Sequence, residues 1–144
     1  MIEGIIINEL KQFVDDRGRV MHMIRADDPL SKKFGEVYFS EILPGVVKAW
    51  RNHNLMTQLF AVPIGTIRLV IYDDRQNSKS KGNLKVLEIG RKNYKLVKVP
   101  PKLWYGFKCI SDFPALIVNC PDLPHDPDES EGRPQNDNTI PYRW

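Results

Sequence analysis

No window of this chain of 144 residues carries an apolar period of 3.6 residues over helical length, and that narrows the fold more than any single motif. In its place stand short apolar or alternating runs separated by turn signals. The signals are Asp16-Arg17-Gly18, Pro44-Gly45, Pro63-Ile64-Gly65 and the polar loop Asn77–Asn83. The runs begin with Gly4–Asn8 and the hairpin pair Leu10–Asp15 and Arg19–Ile24, followed by the strand-like Glu36–Leu43, Val46–His53, Gln58–Val62 and Thr66–Asp73. Leu84–Ile89, Lys95–Val99, Leu103–Ile110 and Ala115–Cys120 complete them. Short strands with turns roughly every eight to twelve residues specify an all-β sandwich or barrel. Side chains alternate along a strand, so Val46–His53 sorts into two faces. Val47, Ala49, Arg51 and His53 are expected on one, and Val46, Lys48 and Trp50 on the other.

Composition divides the chain. Residues 1–120 hold all the strand runs and read as one barrel domain, long enough for a sizeable core. Residues 121–144 hold Pro121, Pro124, Pro127, Pro134 and Pro141 and no apolar period. The tail is expected to supply no sheet strand. It wraps the barrel or is partly disordered, with Ile140–Trp144 apolar enough to dock. It also carries Asp122, Asp126, Asp128, Glu129, Glu131 and Asp137 against Arg133 and Arg143, so with +3 overall the first 120 residues are about +7.

A basic body raises nucleic acid as a partner, but no zinc, helix-turn-helix or stacking motif supports it. Lysines 79, 81, 85, 92, 95, 98 and 102 lie near turns and on alternating strand positions and read as a solvated face. A phosphorylated ligand such as a sugar nucleotide also suits the charge. No apolar run reaches the length of a membrane span, and no basic segment precedes the first one, so a cytoplasmic protein with no membrane partner is expected. Cys109 and Cys120 are expected on neighbouring strands but out of register, as free buried thiols.

Gly45, Arg51, His53, Gln58 and Gly65 fall at the spacing of a known frame. That stretch resembles the first motif of the cupins, small antiparallel barrels in which the three middle positions are normally His, His and Glu. The resemblance implies a single-domain cupin-type double-stranded β-barrel, or jelly roll, and a homodimer with N-terminal strands available for exchange. A divalent metal in such a barrel needs three or four His or carboxylate ligands. Arg51, His53, Gln58 and Tyr105 offer one imidazole, so neither a metal nor another cofactor is expected.

Six further stretches resemble, in order, the dTDP-4-dehydrorhamnose 3,5-epimerase family and its shorter nucleotide-sugar ketoisomerase relatives. Phe13–Gly18 resembles its F-x-D-x-R-G turn, and Gly45–Arg51 its G-V-x-R-G-x-H strand. Ile67–Arg75 resembles a strand ending in D-x-R, and Val99–Phe107 resembles I-P-x-G-x-x-H-G-F. His125–Glu129 resembles Y-x-P-x-x-E, and Ile140–Trp144 the I-x-W ending. The departures fall on the chemistry. The family's catalytic His is Arg51, its enolate-stabilising Lys is Gln58, the His of H-G-F is Tyr105, and its catalytic Tyr is His125. The Asp that partners the family's catalytic His lies in a C-terminal extension that this shorter sequence does not show.

The residues that remain still outline a site. Arg51 is a poor base, but its planar fork suits phosphate. The imidazole of His53 suits a base or acid. Tyr105 can hydrogen-bond an enolate oxygen, and His125 is a second candidate base. Arg17, Lys48 and Arg68 are candidate diphosphate contacts, and Gln58 joins the substrate-binding set. Each also has a plainer reading: His53 as a satisfied structural residue, Tyr105 as core, His125 as exposed tail and Arg17 as turn chemistry. The resemblance implies metal-free epimerisation or isomerisation of a nucleotide-linked 4-keto-deoxysugar by proton abstraction, as in polysaccharide biosynthesis. The alternative is a sugar-nucleotide-binding cupin that has lost its base.

Overall fold

The computed structural model describes all 144 residues. Its strands are β1 (Ile6–Glu9), β2 (Gln12–Asp15), β3 (Gly18–Met21), β4 (Tyr38–Ile42), β5 (Val47–His53) and β6 (Gln58–Ile64). They continue with β7 (Thr66–Tyr72), β8 (Leu84–Gly90), β9 (Lys95–Val99), β10 (Trp104–Cys109), β11 (Ala115–Asn119) and β12 (Ser130–Gly132). Only Pro127–Glu129 is helical, as one 3-10 turn. Two antiparallel five-stranded sheets form, in the orders β1-β9-β6-β11-β4 and β12-β5-β10-β7-β8, and β2 and β3 make a separate ribbon. This is the expected all-β jelly roll. Hydrogen bonding does not run from one large sheet into the other, so it is a two-sheet sandwich rather than a closed barrel.

Strand alternation builds the core. Phe60 and Val62 of β6 and Tyr105, Phe107 and Cys109 of β10 point between the sheets, where they join Leu69, Ile71, Val97 and Ile117. Each fully buried side chain of this kind contributes about 1.5–3 kcal/mol. The outer faces are covered too. Leu59, Leu96 and Cys120 meet Leu10, Met23, Ile24 and Leu30 outside the first sheet. Trp50, Val70 and Trp104 bury Ile140 outside the second, flanked by Tyr142 and Trp144. The tail therefore docks through Ile140.

Several local expectations need correction. β6 runs on through Pro63 to Ile64, because Pro63 falls where the pairing with β11 slips between Ile64 and Ala61 and its missing N–H is not called for. The turn is Gly65 alone: its φ is +72°, and a Cβ there would lie 2.6 Å from Ala115 Cα. Cys109 and Cys120 do not flank one hairpin. Residues after Cys109 cross from the second sheet to the first, and the two free thiols are buried in separate clusters.

The tail does supply a strand. β12 pairs along the β5 edge with Ser130 opposite His53, Glu131 opposite Asn52 and Gly132 opposite Arg51. Pro127 and Pro134 flank these three residues without interrupting them, and a three-residue edge strand is too short to show a period. Reciprocal bonds between Trp50 and Arg133, at 2.9 and 3.1 Å, extend the pairing. The two faces of β5 also differ from strict alternation. Its register against β10 slips between Tyr105 and Phe107, so Lys48 pairs opposite the inward Phe107 while Ala49 packs with Trp50 on the outer face. Arg51 and His53 keep their shared face.

Candidate active site

The end of β5 is where three strands bring chemistry together. Tyr105 of β10 lies opposite Arg51, and β12 lies on the other flank of β5 with Ser130 opposite His53. Asp126 caps the 3-10 turn by accepting from Asp128 N–H, and that turn delivers Glu129 immediately before β12. The Asn54 N–H fixes Glu129 by donating to its carbonyl at 2.8 Å.

Glu129 is only 6% exposed. Its carboxylate accepts from His53 Nδ1 and from the backbone N–H groups of Leu55 and Met56, at 3.1 and 3.3 Å. Burial raises the carboxyl, but His53 and the two amides outweigh it and hold Glu129 below the usual carboxylate range. An anion at Nδ1 fixes the imidazole proton there and leaves the Nε2 lone pair free to accept. Nε2 lies 3.1 Å from the Tyr105 hydroxyl, and the two rings stack within 7° of parallel. Burial pushes the Tyr105 hydroxyl well above its ordinary range, and nearby Tyr38 adds to the shift. The phenol is therefore a donor at neutral pH, and the polar line runs from Tyr105 O–H to His53 to Glu129.

This line opens on a cavity of about 550 Å³, walled by Arg51, His53, Tyr105 and His125 with Glu36, Tyr38, Met56, Pro127 and Ser130. Arg51 takes part in none of the chain's ion pairs. Four of the residues singled out in the sequence thus meet in one place: His53, Tyr105, His125 and Arg51.

The other four are not on its walls. Arg17 sits at the tip of the β2–β3 ribbon, exposed and ion-paired with Asp15 at 2.6 Å. Lys48 reaches across to β4, donating to Ser40 Oγ at 3.0 Å and the Glu41 carbonyl at 2.6 Å. Arg68 is tied to Glu88 at 2.7 Å, on the face of β7 that carries Val70 and Tyr72 away from the cavity. Gln58 is 1% exposed in the interior, its Oε1 accepting from Asn119. No group of three or more His, Cys, Asp or Glu side chains is placed to hold a metal ion.

Sequence reasoning counted Glu129 as one acid among six in the tail and gave it no role. Its signal was weak, because Glu129 closes the stretch His125–Glu129 one residue short of the Glu in Y-x-P-x-x-E, where Ser130 stands. Tyr38 gave no signal beyond strand propensity. A wider depression of about 670 Å³, lined by Asn52, Asp74, Arg75, Lys102 and other polar residues, holds no His, Tyr or Cys. Asp74 there already accepts from Trp104 Nε1 and pairs with Arg133. That depression therefore lacks the imidazole and phenol side chains that meet around His53.

The jelly roll, with an imidazole, a phenol and a guanidinium on one cavity, is cupin-like in architecture. The family model for dTDP-4-dehydrorhamnose 3,5-epimerase matches residues 1–144. The chain belongs to that family. It is 32% identical over 146 residues to the spore coat polysaccharide biosynthesis protein SpsL of Bacillus subtilis, covering 100% of this chain and 97% of that one. It is 38% identical over 147 residues to the probable low-salt glycan biosynthesis epimerase Agl13 of Haloferax volcanii, covering 98% and 88%. Among solved structures, a dTDP sugar isomerase from Desulfovibrio desulfuricans G20 superposes with a TM-score of 0.97 at 50% identity, covering 99% of this chain and 92% of that one. The protein is thus related to the dTDP-sugar epimerases. No helix in it is long and apolar enough to cross a membrane.

Proposed function

We propose that the protein epimerises or isomerises a nucleotide-linked 4-keto-deoxysugar by proton abstraction at His53. The observation that carries this reading is the buried line Glu129–His53–Tyr105 opening on a cavity that Arg51 also walls. A ketone acidifies the neighbouring C–H. His53 Nε2 takes that proton, and Glu129 stabilises the imidazolium that forms. The Tyr105 O–H, displaced from Nε2, turns its hydrogen bond to the enolate oxygen. Return of a proton to the other face of the same carbon gives the epimer. Return to the neighbouring carbon, with proton transfer between the oxygens, gives the isomeric ketone. His125, on the same cavity wall, is the second acid–base group, and Arg51 holds a phosphate oxygen of the nucleotide.

The family's relatives support the substrate class: the solved isomerase is described as acting on a dTDP sugar, and Agl13 as an epimerase. We further propose a homodimer. The β2–β3 ribbon joins neither large sheet, exposes Phe13, Val14 and Val20, and is too small to be stable alone. The open edge of β4, with Phe39 exposed, offers a second copy the pairing that this ribbon lacks. Light scattering that gives a monomer mass would refute the dimer.

The function is tested by mixing the protein with dTDP-4-keto-6-deoxyglucose in deuterium oxide and following the sugar protons by NMR. Loss of signal at C3 or C5 is expected, slowed at least about a hundredfold in His53→Ala and Tyr105→Phe, the usual scale of one acid–base group. Binding without exchange would instead establish a sugar-nucleotide-binding protein, the reading that Arg51 at the family's base position favours.

A further inference from the structure

One buried amide stands behind the cavity and sets the groups on either side of it. Asn119, at the end of β11, is fully buried. Its Oδ1 accepts the backbone N–H of Leu59 at 3.1 Å, which identifies Nδ2 as the donor end and prevents a flip. Both Nδ2 protons are committed, one to the Tyr38 hydroxyl oxygen at 2.8 Å and one to Gln58 Oε1. A phenol that accepts a hydrogen bond on one side of its oxygen carries its own proton on the other. Tyr38 lines the cavity with His53 and Tyr105, and no other bond to its hydroxyl exists within the chain, so the Tyr38 O–H has a proton without a protein acceptor. On the other flank, Gln58 gives its carbonyl to Asn119. Its Nε2 is left fully buried with no partner, a costly arrangement that natural cores rarely keep. The polarity of the whole group is therefore directed: Leu59 donates to Asn119, and Asn119 donates outward to both neighbours.

We propose that Asn119 is a positioning residue that makes Tyr38 a substrate-binding donor: the Tyr38 O–H donates to a hydroxyl or carbonyl oxygen of the bound sugar, and the Asn119 amide holds it in the donating orientation. This rests on the keto-sugar reading given above and adds to it a recognition contact separate from the proton-transfer line. Tyr105 serves the oxygen where charge develops, and Arg51 serves the anionic nucleotide. Tyr38 serves an oxygen of the sugar that is neutral throughout. Such a contact is equally strong in ground and transition states, so its loss raises KM and leaves kcat nearly unchanged.

The experiment measures steady-state exchange of solvent deuterium into dTDP-4-keto-6-deoxyglucose for wild type, Tyr38→Phe, Asn119→Ala and the double variant. Tyr38→Phe is expected to raise KM about tenfold with kcat within about twofold, the size of one neutral hydrogen bond left unmade. Asn119→Ala is expected to match it, and the double variant to be no worse than either, because the two act as one unit. Asn119→Ala also removes the acceptor of Leu59 N–H. If it fails to fold, Asn119→Asp, which keeps that acceptor and loses both donors, replaces it. Tyr38→Phe decides in either case, since it removes one oxygen, leaves one Asn119 Nδ2 proton unpaired and keeps the acceptor of Leu59 N–H. A folded Tyr38→Phe with wild-type KM overturns the proposal, as does a double variant whose losses multiply. If the wild type exchanges no deuterium, the keto-sugar reading falls and this proposal with it. If the wild type exchanges and Tyr38→Phe does so equally well, this proposal alone falls.

Discussion

Glu129→Gln isolates the electrostatic part of the proposed mechanism from its shape. The substitution keeps the side-chain length and one carbonyl oxygen but removes the charge that faces His53 Nδ1. Glu129 now accepts three N–H groups: His53 Nδ1, Leu55 N and Met56 N. A glutamine presents an NH₂ to one side whichever way it turns. If the NH₂ faces Leu55 and Met56, two backbone donors meet a donor. If it faces His53, the imidazole proton moves to Nε2 and the base is lost. A buried group left unpaired in this way costs about 1–3 kcal/mol of stability, which for a chain of this length lowers Tm by about 2–4 °C per kcal/mol. The catalytic effect is larger. The imidazolium formed on proton abstraction loses its counter-charge, and we expect deuterium exchange to fall at least about a hundredfold, or about 2.7 kcal/mol of barrier. Glu129 is not on the cavity wall, so calorimetric affinity for the nucleotide sugar should be unchanged. The assay is NMR-monitored exchange at saturating substrate, with thermal melting to show that the variant folds. A folded Glu129→Gln that exchanges within about threefold of wild type would refute His53 as the base.

Other expectations follow from the same geometry. Arg51→Ala should weaken nucleotide-sugar binding about tenfold at low salt and flatten its salt dependence, measured by calorimetry at two ionic strengths, because it removes a free guanidinium from the cavity. Ile140→Ala should cost about 2–5 kcal/mol in chemical denaturation, since Ile140 is fully buried against Trp50, Val70 and Trp104; a loss below 1 kcal/mol would show that the tail does not dock. Stability should also fall in acid. Burial raises the Asp73 carboxyl, but Arg75, Ser78 and Ser80 more than offset this and hold it far below its ordinary 3.8, and Glu129 lies below its ordinary 4.5. Groups with lowered folded values give their full stabilisation above those ordinary values and lose it as pH falls through the folded ones. Denaturation midpoints should therefore be flat near neutrality on this account and drop below about pH 4.5, and Asp73→Asn should flatten that drop while lowering the neutral plateau.

The jelly roll was legible because strand alternation and turn residues are local. Lys95–Val99 and Thr66–Tyr72 carry their own period, and the structure returns both nearly residue for residue. Arg51 and His53 could be placed together because a step of two residues on a strand keeps the face. What escaped depends on pairing across the chain. β12 is three residues long, and it pairs Ser130 with His53 of β5, 77 positions earlier (130 − 53), so nothing local announces it. The slip beside Gly106 that turned Lys48 toward β4 is likewise set by the neighbouring strand. Arg68 lies away from the cavity for a simpler reason. Alternation gives the face a side chain shares, and only the docked tail shows which face of the sheet is outside.

The altered positions make sense together rather than one at a time. The family resemblance puts the catalytic imidazole at position 51, where this chain has an arginine, a poor base. Two residues further on, the same face carries His53, displaced by about 6.6 Å along the strand. An imidazole moved that far works best as a base when an acceptor at its Nδ1 fixes the tautomer that leaves Nε2 free. Here Glu129 arrives through β12, whose register against β5 is fixed by Ser130 opposite His53. The phenol and the second imidazole have traded places in the same comparison, Tyr105 standing for the family's His and His125 for its Tyr. A protein merely losing its activity has no reason to replace base, counter-charge and acid in mutually consistent positions. On the proposed reading, the buried Glu129–His53–Tyr105 line serves proton transfer at a shifted point on the sugar, and the carbon that exchanges deuterium locates that point.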